Sequence, residues 1–402
     1  MRPLRVVLVM IEPPLPFGNA AARGFYVLLK GLASRGHDVT AFAACHKPEE
    51  IQQAKELFPS PQYDLRCYPF PKRGGIQAKA RTILQPYSYM FGPDLRRDLT
   101  ETLSRPYDVL HLEQLWSGWL GLEHKDRALV SLHYLFGIDL KDQSGGFPRP
   151  WIDRRMMFWG ERRLIRAYKY FRACSQRLVP EILRIHPGAV VESVPFGLDM
   201  DQYPYIPDAK RTAEPLISVI GSMGWYPSRS AAERLLERLW PEIRKRVPGA
   251  RVQVVGWGAK SALQRFASLP DVTIEENVPD IRPYFERTGV LVYAPGRGSG
   301  MKIKIMESFA FGVPVVTTSE GVEGMPAEDG VHAGICEDDA GLIERAVRLL
   351  TDTGLQNRQR RAARSLIERH CGSEPTLDAI ERIYCRMLAE EPARLTQTSN
   401  VV

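Results

Sequence analysis

The chain has no apolar run long enough to cross a bilayer. Val6-Val-Leu-Val-Met-Ile11 is stopped by Glu12-Pro13-Pro14, whereas a spanning helix takes about 20 residues. The segment reads as a first strand, not as a signal peptide. Cysteine is sparse: Cys45, Cys67, Cys174, Cys336, Cys371 and Cys385 are scattered without a CxxC pair. That spacing excludes a dense disulfide frame and a contiguous zinc site, and fits reduced thiols in the cytosol. Internal repeats and low-complexity blocks are missing. Cys/His fingers and aromatic-interleaved RNA motifs are missing too, so nucleic acid is not expected as a partner for the net charge of +7.

What is present is ordinary globular composition, 44% hydrophobic and 25% charged over 402 residues, enough for two α/β domains. Short apolar runs alternate with amphipathic stretches in both halves, the pattern of parallel sheets flanked by helices. The first half predicts strands at 5–11, 39–43, 109–112, 128–132, 178–179 and 190–194, with a helix over 20–35. The second predicts strands at 216–220, 251–255, 272–274 and 290–294. Helices are expected over 231–246, 261–267 and 281–287, then over 339–351, 355–369 and 373–390. The stretch 199–215, rich in proline, aspartate and tyrosine, predicts an interdomain linker. The domains are expected at 1–200 and 201–372, followed by a helix over 373–392 and a fraying tail over 393–402. Ligands of such sheets bind at the carboxyl ends of the strands, here in a cleft expected between the two domains.

Gly298-Ser-Gly-Met-Lys-Ile-Lys-Ile-Met-Glu307 stands out. A glycine-bearing loop follows the strand at 290–294 and opens a helix, whose free N–H groups and positive dipole end suit an anion. Lys302 and Lys304 add mobile positive charge where the macrodipole disfavours it. Glu307, three residues beyond Lys304, can accept hydrogen bonds from ribose hydroxyls. The helix stops at Gly312, ahead of a buried strand beginning Val313-Pro314. The plain alternative is an ordinary strand–helix turn that binds nothing.

The order of further motifs carries a resemblance. Gly36-His-Asp-Val39, Tyr107-Asp-Val-Leu-His111, Cys174-Ser175 and Pro195-Phe-Gly-Leu-Asp199 precede Gly221-Ser-Met-Gly-Trp-Tyr-Pro227. Val254-Val-Gly-Trp-Gly258 and Asn277-Val-Pro-Asp-Ile281 follow, and then the 298–318 segment. Across nearly its whole length the chain resembles a family 4 glycosyltransferase of the GT-B fold. This implies two Rossmann-like, doubly wound domains, with a C-terminal helix packing back on the first. It also implies retaining, hexosyltransferase-type transfer from a nucleotide-diphosphate sugar (UDP-, GDP- or dTDP-) to a sugar, lipid-linked or small-molecule acceptor. The nucleotide sugar is a substrate, so no cofactor is implied, and no metal, since no DxD-type motif follows a strand. The resemblance places the donor on Ser299, Gly300, Met301, Lys302, Ile303 and Lys304, with its diphosphate at 300–304, and the ribose on Glu307. Val278 and Ile281 would frame the base, and His133 would touch the donor sugar. Lys302, Lys304 and His133 are then the catalytic candidates.

Two departures accompany it. The family's paired glutamates have seven residues between them; Glu307 matches the second, and the first falls on Ser299. An arginine and a lysine usual after the first C-domain strand are replaced by Gly221-Ser-Met-Gly-Trp225, so Lys302 and Lys304 are expected to supply the charge.

Other candidates keep two readings each. Gly18, ahead of the first helix, allows close backbone approach to a donor or acceptor, or serves the turn alone. His111 and Glu113 line an acceptor pocket, or are buried structural residues. His133 is functional, or satisfies a loop carbonyl. The stretch 151–172 interleaves aromatics with basic residues, as a helix lying on an anionic membrane would, or as a domain helix with a solvated basic face. The expected location is the cytoplasm, with the membrane's inner face as the variant. Two further functions stand: a nucleotide-sugar epimerase or hydrolase of the same fold, and an inactive nucleotide-binding protein, which Ser299 keeps open.

Overall fold

The computed structural model describes residues 2–71, 82–139, 151–211, 214–296 and 298–398. The chain divides into two units, Met1–Asp199 with Gly372–Val402, and Met200–Cys371. Of the expected tail, residues 399–402 lie outside the described ones, as does the side chain of Trp151.

The first unit holds strands β1 (Arg5–Met10), β2 (Asp38–Cys45), β3 (Asp64–Pro69), β4 (Val109–Glu113), β5 (Ala128–Leu132), β6 (Tyr170–Ala173) and β7 (Val190–Ser193). They form one sheet in the order β3-β2-β1-β4-β5-β6-β7, every pair parallel. The inner strands β1, β4 and β5 are buried along almost their whole length, as expected of parallel strands covered on both faces. Strand order reverses between β1 and β4, the place where such sheets open toward a ligand. The helix Ala20–Ser34 starts at Asn19, whose side chain accepts from the Ala22 N–H at 3.0 Å. The C-terminal helix Ser373–Thr398 lies on it: Leu377 fills the space over Gly31, and Arg35 pairs with Asp378 at 2.7 Å and Glu381 at 3.1 Å.

The second unit holds β8 (Leu216–Ile220), β9 (Arg251–Val255), β10 (Val272–Glu275), β11 (Val290–Tyr293), β12 (Val315–Thr317) and β13 (Gly334–Ile335), in the order β10-β9-β8-β11-β12-β13, again all parallel. Its order reverses between β8 and β11. Two doubly wound parallel sheets in one chain are the architecture that the motif order implied.

Several local expectations change. Residues 178–179 are the start of a helix, Leu178–Ile185, with Leu178, Ile182 and Ile185 buried on one face. Pro180 falls in its first turn, where the missing N–H costs nothing. The strand lies earlier, at β6, so the 151–172 stretch is not one helix. It is a helix over Trp151–Ala167 followed by a strand. Tyr168, Tyr170 and Phe171 are core residues, while Trp159 is exposed with the Arg163 guanidinium 5.2 Å from its ring. No helix among the described residues is long and apolar enough to cross a membrane.

The expected linker is docked as well. Buried Arg360 donates to the carbonyls of Gly312 (2.6 Å) and Ile206 (2.5 Å) and to Asp208 (2.6 Å). Arg211 donates to the carbonyls of Thr288 and Gly289 at 2.7 and 3.0 Å. Composition marked this stretch as irregular, but Arg360 from far along the chain and Arg211 within the stretch fasten it to the rest of the second unit.

Candidate functional site

In the second unit the carboxyl ends of β8, β9 and β11 come together through glycine. A Cβ at Gly256 would fall 1.7 Å from the carbonyl oxygen of Gly221, so the loops after β8 and β9 touch backbone to backbone. A Cβ at Gly221 would in turn lie 3.7 Å from Cγ of Lys304. Glycine at 256 therefore lets the loops after β8 and β9 meet, and Gly221 lies in contact distance of the Lys304 stem in the helix Ile303–Phe311.

That helix follows the 298–302 loop, and the side chain of its N-cap residue, Lys302, makes no capping bond. A helix start of this kind turns its first N–H groups and positive dipole end outward. Lys304 in the first turn reaches Glu307, Nζ to Oε2 at 2.7 Å; the lysine side chain is 20% exposed and the glutamate's 1%. Gly312 ends the helix at φ +70°, its N–H bonded to the Phe309 carbonyl at 3.1 Å. A Cβ there would meet the Tyr205 ring at 2.4 Å, so glycine is required twice over.

Lys302 is placed differently from the expectation of mobile charge. Its side chain is 3% exposed, and its ammonium donates to the carbonyls of Gly298 at 2.8 Å and Gly300 at 2.6 Å. Ser299 and Met301 are buried beside it. A lysine four residues after one glycine carbonyl and two after the other is positioned to fold back into its own loop. Val278 and Ile281 are both half-buried, next to Asn277 at φ +56° and at the N-cap of the helix Arg282–Arg287.

In the first unit the candidates from β4 and β5 form one buried network. The Tyr384 hydroxyl donates to Nδ1 of His111 at 2.6 Å, and Nε2–H of His111 is shared between Ser131 Oγ at 2.9 Å and Glu113 Oε1 at 3.1 Å. Ser131 donates to Oε1 of Glu113 at 3.0 Å, and His133 Nε2–H donates to its Oε2 at 2.7 Å. Arg172 from β6 adds a bond to Oε1 at 3.1 Å and donates to the Pro195 carbonyl at 2.9 Å. Burial would raise the Glu113 carboxyl, but bonds from both histidines and the Arg172 charge hold it well below its usual range. Burial lowers His133 despite Glu113, so its imidazole is neutral near pH 7 with Nδ1 left as an acceptor. His111 and Glu113 are thus fully enclosed, and the group presented further out is His133.

His133 lines a small pocket with Gln114, Leu115, Trp116, Tyr134 and Glu161. Gln114 sits at φ +66°, and its buried Oε1 has no hydrogen-bond partner among the described residues. A strained residue with an unmet acceptor at a pocket wall is available to a ligand donor. Gly18 is at φ +88° with open space around it. The sequence reading missed Gln114, Arg172 and Tyr384. A charged residue inside the apolar Tyr170-Phe-Arg-Ala173 run was a signal for Arg172; nothing local marked the other two.

Two doubly wound parallel sheets, with a lysine-bearing helix opening at the carboxyl edge of the second, define a GT-B architecture. The family model described as "Glycosyl transferases group 1" matches residues 214–352, and that for a "Glycosyl transferase 4-like domain" matches residues 19–197. The chain belongs to the family 4 glycosyltransferases of the GT-B fold. It is 28% identical over 205 residues to a GDP-mannose-dependent alpha-(1-6)-phosphatidylinositol monomannoside mannosyltransferase of Mycolicibacterium smegmatis. That match covers 46% of this chain and 52% of the relative, so the chain spans about half the length of the curated relative it matches. Its structure is similar to sucrose-phosphate synthase from Thermosynechococcus elongatus, with a TM-score of 0.71 at 15% identity, covering 96% and 99% of the two chains. Anabaena HepE, solved with UDP and glucose, gives a TM-score of 0.66 at 11% identity over 94% and 99% of the chains. At these identities the likenesses speak for the fold.

Proposed function

We propose that this protein transfers a hexose from a nucleotide-diphosphate sugar to an acceptor hydroxyl, with retention and without a metal. One observation carries the reading: the helix Ile303–Phe311 opens without a side-chain cap at the carboxyl edge of the sheet and bears Lys304 in its first turn. As the anomeric bond breaks, negative charge grows on the departing diphosphate. Oriented N–H groups and an ammonium already in place stabilise it without reorganisation. Glu307, three residues on, is assigned to the ribose, and Val278 and Ile281 to the base. In the first unit His133, neutral and fixed by Glu113, is offered to the sugar, and Gln114 Oε1 to a hydroxyl of the acceptor. The Mycolicibacterium relative is named for GDP-mannose and HepE was solved with UDP, so either base fits this family.

Thermal shift with UDP, GDP, ADP and dTDP tests the reading, followed by the matching sugars with and without acceptor. One diphosphate is expected to raise the melting temperature, and its sugar to release diphosphate only when an acceptor is present. Release without acceptor would make the protein a hydrolase, and epimer formation without release an epimerase. No shift with any diphosphate would overturn the proposal.

A further inference from the structure

The glycine loop ahead of the helix is held by acids from a distant stretch. In the segment that follows β12, Glu320 Oε1 accepts the Gly298 N–H at 2.8 Å and Glu323 Oε1 accepts the Gly300 N–H at 3.1 Å. The second oxygen of Glu323 lies 3.4 Å from Lys302 Nζ. Lys302 already donates to the carbonyls of the same two glycines. All four backbone polar groups of Gly298 and Gly300 are therefore bonded to three side chains. The Lys302 and Glu323 side chains are only 3% and 7% exposed.

Such a loop does not order itself. Glycine loses more backbone freedom on folding than any other residue, and Gly300 is held at φ +90°. An ammonium on the carbonyls and a carboxylate on an N–H, joined to each other, supply the missing restraint. The amides of Gly298 and Gly300 are spent inside the protein and do not cradle a phosphate. Lys302 has a carboxylate beside it, so its charge is matched within the loop. Ser299, where the resemblance placed a glutamate, lies between two residues whose amides are bound by carboxylates from after β12.

We propose that Glu323 and Lys302 are positioning residues: a buried ion pair that sets the 298–302 loop so that the first turn of the helix, with Lys304, meets the diphosphate. The part concerning the diphosphate rests on the donor reading above; the clamp itself does not.

Two measurements on the full chain separate them. Hydrogen exchange of peptides spanning 296–304 reads the clamp directly. Glu323→Gln and Lys302→Met are each expected to speed exchange there about tenfold or more, while β8 and β9 peptides stay protected, showing that the variants fold. Donor kinetics read the consequence. Each single variant is expected to lose about 10- to 100-fold in kcat/KM, mostly through KM, and the double variant to lose no more than the worse single. Lys304→Met combined with Glu323→Gln is expected to lose clearly less than the product of the two single losses, since the clamp acts in part by placing Lys304. Unchanged exchange in both singles, or a double variant whose losses multiply, would overturn the clamp. A wild type that binds no nucleoside diphosphate would overturn the donor reading and leave the exchange result standing.

Discussion

Replacing Lys304 by methionine tests the proposed chemistry most directly. The substitution keeps the methylene stem that packs toward Gly221 and removes only the ammonium. Two effects follow from its position 2.7 Å from a Glu307 carboxylate that is 1% exposed. For the reaction, losing one preorganised donor to developing charge costs about 2.7–4 kcal/mol, or about a hundred- to thousandfold in kcat. For stability, breaking a buried pair costs about 3–5 kcal/mol; a lysine one-fifth exposed to solvent reduces this to about 1–3 kcal/mol. The double variant Lys304→Met/Glu307→Gln separates the two. Removing the carboxylate's charge is expected to restore most of the stability in urea melts and none of the rate. The assay is acceptor-dependent release of nucleoside diphosphate, with kcat and KM determined separately. A kcat/KM for Lys304→Met within about threefold of wild type, about 0.65 kcal/mol, would refute the assignment. So would recovery of rate in the double variant, which would make the loss a folding effect.

Two further outcomes concern the first unit. Glu113→Ala removes the anion between Arg172 and two histidines in a fully buried site, and is expected to cost about 3–5 kcal/mol in urea denaturation; a loss under about 1 kcal/mol would show that the network is not electrostatically coupled. The Glu161 carboxyl is pushed up to about 7, chiefly by burial, against N–H bonds from Gly137 and Phe136. A raised carboxyl binds its proton more tightly in the fold. Its contribution is therefore complete below about pH 4.5 and is lost as pH rises through 7, a change of about 3 kcal/mol for this shift. Stability of wild type is expected to fall relative to Glu161→Gln between pH 5 and pH 8; parallel curves would contradict the shift.

The legible parts of the chain were those with local causes. β8, β9 and the helix Asp339–Thr351 coincide with their expected ranges because buried parallel strands and amphipathic helices announce themselves by apolar pattern and caps. The helix stop at Gly312 was legible for the same reason. β6 was not: Arg172 breaks the apolar run, and the Glu113 carboxylate two strands away, with the Pro195 carbonyl, makes a buried arginine tolerable there. Residues 203–211 read as a linker because the arginines that hold Tyr203, Ile206 and Asp208, Arg360 and Arg364, come from a helix over a hundred residues later.

By itself, the order of glycine motifs, strands and helices determined two doubly wound domains and pointed to the helix start proposed to meet an anion. Those features depend on backbone conformation and on neighbours within a few residues, which sequence records. Tertiary structure alone decided which charges are available. It turned Lys302 inward onto its own loop, brought Glu320 and Glu323 to the amides flanking Ser299, and enclosed His111 and Glu113 behind His133. Burial and pairing of charge depend on residues far apart in the chain, and no local pattern encodes them.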